Sequence, residues 1–430
     1  MDTLGTNHIS LATTNIQQNT STSEAQTENS LEQAPQSAQQ KLQVFWQKWS
    51  RAALGILPVY VAVHIGFFIT TCVSFLFTHR DFDGTWVPLR ALPAAWHHWD
   101  SGYYMSIALN GYGTKDVYRS AFFPLYSLLI RVVLPITHHN AVLAGFLVSD
   151  IAGFFMLIVL YQLVCEDFNE EHANRTVLYL SLFPTAFFFA AVYNESLFLC
   201  LTLLSFYNMR HGQWWLAGIF GFFAALTRSS GLFLILPFCY EYLWQHKFNI
   251  KRIRFNVISG GLILAGIGVY SLYCYYKFHD FLAFSHAQAN WNHHLEVPWY
   301  GIVHSIKAIS TSGGLIGFQS IRNLLDLVPD LMMLALIVLI FIGPLKFSRS
   351  LWSYGIFAAA LYIFLQLFPV GGTGLFPLQS VSRYLLELFP AFIMLAAFGK
   401  SRMFNMNYLV ISGALLFFLL TQFLTGHWVL

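Results

Sequence analysis

The sequence predicts an all-α polytopic membrane protein, and three observations predict it. Of its 430 residues, 56% are hydrophobic and only 10% are charged, where a soluble domain carries roughly 25% charged residues. Apolar runs close to the ~20 residues that cross a bilayer recur along nearly the whole chain. Lys and Arg collect in alternate short connections, the bias that orients membrane helices.

Residues 1–44 stand apart. They are rich in Gln, Thr, Ser and Asn and poor in aromatics, so they cannot bury enough apolar area to offset the entropy of ordering. They predict a disordered cytoplasmic tail. No basic segment followed by a short apolar run opens the chain, so the first span is expected to stay as an anchor. The remainder, 45–430, reads as one membrane domain of about eleven spans, near 53–77, 140–165, 174–191, 196–209, 213–227, 230–244, 256–276, 326–345, 351–369, 383–398 and 406–424. Lys41, Lys48 and Arg51 place the N-terminus in the cytoplasm. With alternation from there, the inner loops hold Arg175, Arg210, Lys247 with Lys251, Arg252 and Arg254, Lys346 with Arg349, and Lys400 with Arg402. A full span over 121–137 would turn every later basic loop outward. That segment therefore predicts a re-entrant or interfacial helix on the outer face, with Arg131 in its middle.

Two long outer segments follow, 78–139 and 277–325. Their wealth of Trp, Tyr, Phe and His argues for function over disorder. The five cysteines fall in or beside apolar runs without CxxC spacing and read as buried thiols. Gly260, Gly261, Gly266 and Gly268 predict close helix packing.

Candidate chemistry gathers at the outer face. In AWHHWDSGYYMSIALNGYG, Asp100 follows His98 and Trp99 and precedes Tyr103 and Tyr104. A poorly solvated carboxylate there can accept the proton of an attacking hydroxyl; it can equally cap the helix that follows. In AVYNESLF, Asn194 and Glu195 reach the same face. Glu195 reads either as a second acidic group of one site or, with Asn194, as a helix cap. Arg119, Arg131, Arg228 and Arg383 lie near the outer boundary, against the positive-inside trend. Guanidinium groups there can grip a lipid phosphate bidentately or snorkel to headgroups. His286, Gln288 and Trp291 form an amide-and-ring mixture that suits sugars or an ordinary interfacial loop. The histidine pairs His97–His98, His138–His139 and His293–His294 are adjacent, not four apart, and no metal site is expected.

The run WHHWDSGYYMSIALNGYG followed by AFFPLYSLLIR resembles the first luminal loop of the PIG-V family, the transferases that add the second mannose to glycosylphosphatidylinositol (GPI), and their prokaryotic relatives. The matching positions are Trp99-Asp100, Tyr103-Tyr104, Ile107-Ala108, Gly111-Tyr112 and Ala121 to Leu125. FPTAFFFAAVYNESLF, AALTRSSGLFL, RYLLELFP and the final GHWVL are similar to later family segments. The resemblance spans roughly 45–430. His98 departs from the basic residue often found before Trp-Asp, and the second outer loop matches only around FSHAQANW.

The resemblance implies a GT-C glycosyltransferase fold with its site on the lumenal or extracytoplasmic side. It implies inverting transfer of a sugar, mannose by likeness, from a polyprenyl-phosphate donor to a lipid or glycan acceptor. Asp100 and Glu195 become the catalytic candidates and Arg131, Arg228 and Arg383 the donor-phosphate candidates. Trp99, His98, Tyr103, Tyr104, Asn194, His286, Gln288 and Trp291 are the substrate-binding candidates. No cofactor, metal or nucleic-acid partner is expected. The Gln-rich tail and the lack of a retention signal favour a bacterial plasma membrane over endoplasmic reticulum. A secondary transporter would also explain broken helices and buried polar groups, although no inverted repeat is visible. A lipid-handling protein that kept the fold without the chemistry is the other alternative.

Overall fold

The computed structural model describes residues 38–78, 89–113, 116–312, 314–370 and 375–427. The tail expected at 1–44 lies, up to residue 37, outside the described residues. So do 79–88 and 114–115 of the first outer segment. The contacts divide the chain into residues 1–51 and 52–430. Of the first unit, 38–51 are helical. The described residues of the second are mostly helical, with an isolated bridge between His293 and Val370.

Among the described residues, six helices are long and apolar enough to cross a membrane: Gln43–Leu76, Ala141–Asp167, Phe255–Phe278, Phe318–Phe341, Arg349–Leu367 and Arg402–Leu424. They coincide with six of the segments read from hydropathy, and the chain is an integral membrane protein. The expected number, eleven, is not confirmed. Four of the segments fold as Glu170–Ser181, Glu195–Arg210, Trp214–Thr227 and Ile235–Gln245, of 12, 16, 14 and 11 residues. At a rise of 1.5 Å per residue the longest reaches about 24 Å, short of a ~30 Å hydrocarbon core. The segment at 383–398 is a pair, Val381–Glu387 and Phe389–Phe398, bent by 85°. The helix expected to begin at 326 begins at Phe318, so the second outer segment ends sooner than 325.

The outer segments are folded. The first carries a 3-10 helix Leu89–Trp96, a helix Ser101–Asn110, a 3-10 turn Val117–Ala121 and a helix Pro124–Val133. Ten residues make the last too short to cross, in keeping with an interfacial helix. Tyr104, Ile107, Phe122, Phe123, Tyr126 and Ile130 bury their side chains against Ala144, Val148 and Tyr270 of the membrane helices. The Tyr126 hydroxyl donates to Gly145 O at 3.0 Å, and the Tyr270 hydroxyl to Ser120 O at 2.7 Å. This core anchors the first outer segment from below, and that segment carries Asp100.

Several charged groups inside the bundle are paired. His64 Nε2 meets Asp150 Oδ1 at 2.7 Å. At the opposite end from Asp100, Arg210 joins Asp167 at 2.6 Å and Glu241 at 3.0 Å, tying three helix ends together. Two of the four glycines expected at helix contacts are there. A Cβ on Gly266 would meet Phe222 O at 2.5 Å, and one on Gly260 would meet Phe238 Cε1 at 2.7 Å. Gly261 and Gly268 face open space. Overpacking a close contact costs about 1–3 kcal/mol. Gly266→Ala is therefore expected to lower the melting temperature in detergent, and Gly268→Ala to leave it unchanged or raise it. Equal effects would place the contact elsewhere.

Candidate active site

The site is built where helices break. Glu195 opens helix Glu195–Arg210 and is fully buried. Arg228 is an extended residue (φ −154°, ψ 149°) between Trp214–Thr227 and the 3-10 helix Ser229–Leu234. Arg383 lies in a single helical turn, Val381–Tyr384, entered through Ser380 in a left-handed conformation (φ 67°). Trp99 is also left-handed (φ 56°), a strained state for a bulky side chain. That turn aims Trp99 and Asp100 away from the helix that follows.

One charge network joins them. Arg383 Nη1 donates to Asp100 Oδ2 at 2.7 Å and Arg383 Nε to Glu195 Oε1 at 2.6 Å. Arg228 Nη1 donates to the same Glu195 oxygen at 3.1 Å and to Asn194 Oδ1 at 3.0 Å. Arg228 Nε stands 2.9 Å from Glu387 Oε1, and Ser230 Oγ donates to Glu387 Oε2 at 3.1 Å. Buried charges survive only when paired and hydrogen-bonded. Here three carboxylates hold two guanidiniums, which leaves a formal excess of one negative charge. Rings complete the packing: Arg383 lies 4.8 Å from the Tyr193 centroid, and Arg228 5.0 Å from Tyr384. Cations favour such faces.

The capping readings do not survive. Neither Asp100 nor Asn194 makes a side-chain cap. Asp100 turns to Arg383 instead, and Asn194 Nδ2 donates to Thr227 O at 2.9 Å. A cavity of about 350 Å³ opens above the network. Trp99, Asp100, Tyr104, Asn194, Arg228, Gln288, Trp291 and Arg383 line it, all of them named from the sequence. Tyr103 lines an adjoining cavity. Glu195 does not reach the cavity. Of the three carboxylates, Glu195 and Glu387 keep 0% and 2% side-chain exposure, and Asp100 keeps 18%.

Three candidates lie elsewhere. Arg131 donates from Nε to Ala108 O at 2.7 Å and from Nη2 to Leu109 O at 3.1 Å, closing the C-terminal end of helix Ser101–Asn110 as a cation commonly does. His286 is exposed and pairs with Asp280 at 2.7 Å. His98 packs on Phe423, and its carbonyl accepts from the Tyr193 hydroxyl at 3.0 Å; burial pushes its imidazole down from its ordinary pKa. Arg119 pairs with Asp116 at 3.2 Å. Sequence reasoning missed Glu387, Tyr193, Tyr384 and His293. Glu387 stands four residues after Arg383, a spacing that was its only signal. His293 lines the cavity, with Nδ1 2.8 Å from Phe368 O; burial holds its pKa below the usual imidazole range. Because a carbonyl oxygen only accepts, Nδ1 is the donor in that contact.

Comparison with known proteins agrees with this architecture. The family model described as mannosyltransferase (PIG-V) matches residues 89–342. GPI mannosyltransferase 2 of Schizosaccharomyces pombe is 25% identical over 200 residues, 46% of this chain and 42% of that protein. The match thus spans less than half the length of this curated relative. Among solved structures, ArnT from Cupriavidus metallidurans bound to undecaprenyl phosphate superposes with a TM-score of 0.50 at 16% identity, covering 83% of this chain and 62% of that one. That likeness shows the fold, which is GT-C.

Removing one partner of a buried ion pair costs about 3–5 kcal/mol because the other charge is stranded. Arg383→Gln is expected to destabilise the protein on that scale. Adding Glu195→Gln should recover much of the loss, read as melting temperatures in detergent. Simple additivity of the two substitutions would mean that the pair is not coupled.

Proposed function

The chain belongs to the PIG-V mannosyltransferase family, and from that membership we propose that it transfers mannose from a polyprenyl-phosphate donor to a glycolipid or glycan acceptor. The observation that carries the mechanism is the placing of Asp100. It is the carboxylate of the network that lines the cavity, and it is held by Arg383 at 2.7 Å. It serves as the base for the acceptor hydroxyl. Glu195, sealed beneath it, orients Arg383 and Arg228 rather than meeting substrate.

Arg228 and Arg383 line the same cavity and take the donor phosphate. A guanidinium has five N–H donors, and the carboxylates engage Nε and Nη1 of Arg383, which leaves Nη2 to reach a phosphate oxygen. As the sugar leaves, charge grows on that phosphate, and fixed cations stabilise the growing charge most. The binding of undecaprenyl phosphate by the ArnT structure and the name of the fission-yeast relative support a lipid-phosphate donor and an acceptor of the GPI-precursor kind. Water-side attack on the face opposite the phosphate gives inversion. The positive-inside pattern puts the N-terminus in the cytoplasm and the site on the extracytoplasmic or lumenal face, in a bacterial plasma membrane or the endoplasmic reticulum alike.

The proposed transfer needs no cofactor and no metal. The leaving group is already a phosphate, and the Arg383 guanidinium fills the place between Asp100 and Glu195 where a cation would stand.

Membranes carrying the wild type are expected to move labelled mannose from polyprenyl-phosphate mannose to endogenous glycolipid. Asp100→Asn, at equal abundance, should lose about 10²–10⁴-fold, the scale of a general base. Chelator should leave the wild-type rate unchanged. Equal transfer by both proteins would make Asp100 structural, and loss of activity on chelation would overturn the metal-independent mechanism. A protein that only handles lipid would transfer nothing.

A further inference from the structure

Asp100 has two sides. On one lies the cavity of Arg228 and Arg383. On the other lies a second cavity, also of about 350 Å³, lined by Gly102, Tyr103, Ser106 and Arg119. Trp99, Asp100 and Trp291 line both, so the carboxylate stands in a common wall. The second cavity is made wholly by the outer segments and holds no membrane-helix residue.

Gly102 is the telling position. It sits in the first turn of helix Ser101–Asn110, where a Cβ would meet only His97 Nε2, at 3.9 Å. Glycine weakens a helix relative to alanine, and no close neighbour here requires it. Its φ is not left-handed either. What the missing side chain preserves is open space beside Asp100.

We propose that the second cavity receives the acceptor sugar and that Gly102 limits the bulk of that sugar, an assignment that rests on the glycosyl-transfer reading above. The donor mannose meets the wall from the arginine side and the acceptor from the glycine side. The acceptor hydroxyl oxygen bonds to the anomeric carbon as that carbon's bond to the phosphate oxygen breaks. The hydroxyl proton passes to Asp100, and the electron pair of the broken bond leaves with the phosphate. Trp99, Tyr103 and Trp291 offer rings to a pyranose. Tyr103 and Trp291 brace each other edge to face with centroids 5.9 Å apart. The Ser106 hydroxyl and Arg119, steadied by Asp116 at 3.2 Å, are placed to meet sugar hydroxyls.

The test uses the full chain in membranes, polyprenyl-phosphate mannose as donor and a total glycolipid extract of the host membranes as acceptor. Gly102→Ala and Gly102→Leu are compared with the wild type. The KM for acceptor should rise with side-chain size, at least tenfold for leucine, while the KM for donor stays within twofold. An unchanged acceptor KM in Gly102→Leu overturns the assignment. An equal rise in donor KM gives the cavity to the donor instead. Gly102→Ala meets nothing closer than 3.9 Å and favours the helix, so a smaller acceptor effect in that well-folded variant supports the assignment even if the leucine variant fails to fold, and its absence there overturns it. A wild type that transfers to no component of the extract overturns the glycosyl-transfer reading itself, whereas an active wild type with indifferent Gly102 variants overturns only the place of the acceptor.

Discussion

Arg383 between Asp100 and Glu195 is the constraint on which the rest of the structure depends. Its guanidinium, 283 residues from Asp100 in sequence, ties that outer loop to the start of a buried helix at Glu195 and is itself nearly sealed from solvent. A buried cation is costly unless every neighbour cooperates, and the neighbours here do. Glu195 takes Nε, Asp100 takes Nη1, and Tyr193, Phe188 and Tyr384 supply ring faces. Broken helices follow from this. Non-helical backbone at membrane depth is tolerated where it is buried in protein or lines a cavity, and at two of the breaks side chains meet freed backbone groups. Asn194 takes the Thr227 carbonyl, and the Ser382 amide and hydroxyl both point at Asp326, at 3.4 and 2.6 Å.

The same breaks explain what was legible in the sequence. The two outer carboxylates and two of the three candidate phosphate arginines came out on one face because charge in an apolar chain is rare and its side of the membrane can be counted. The helix borders were harder to read because hydropathy does not register a break made of apolar residues. FPTAFFFAAVY is greasy throughout, yet it folds into turns and the short 3-10 helix Ala186–Phe189. Arg131 gave the same signal as Arg383, an arginine in an apolar segment at the outer boundary. Only tertiary placement separates them: one closes a helix end and the other holds the site. Glu387 was missed for the opposite reason, since within RYLLELFP it looks like one turn of a surface helix.

Asp326 and Asp330 show a second way of keeping carboxylates within a membrane helix. Both are buried, and each is met by hydroxyl or amide donors: Asp326 by Ser382, Asp330 by Tyr362 at 3.0 Å and Gln366 at 2.6 Å. Their one-turn spacing puts them on one face of Phe318–Phe341, the face that packs toward the Arg383 turn. The backbone beside Arg383 is thus held from the membrane side by Asp326, while its guanidinium is held from the outer side by Asp100.

A floor fixed from both sides leaves little freedom for the charged groups, and transition-state stabilisation by preorganised charge needs that. The walls above are different in kind. Trp99, Tyr103 and Trp291 come from outer segments; Tyr103 and Trp291 make ring contacts, and Trp99 remains 41% exposed. On the proposed reading, the groups that meet the phosphate are held at helix breaks, where a shift would strand a charge. On the same reading, the contacts that meet the sugar are carried by the outer segments. On that reading the fold can keep its leaving-group chemistry while its acceptor changes, because the two tasks are borne by different parts of the chain that meet at the shared wall of Trp99, Asp100 and Trp291.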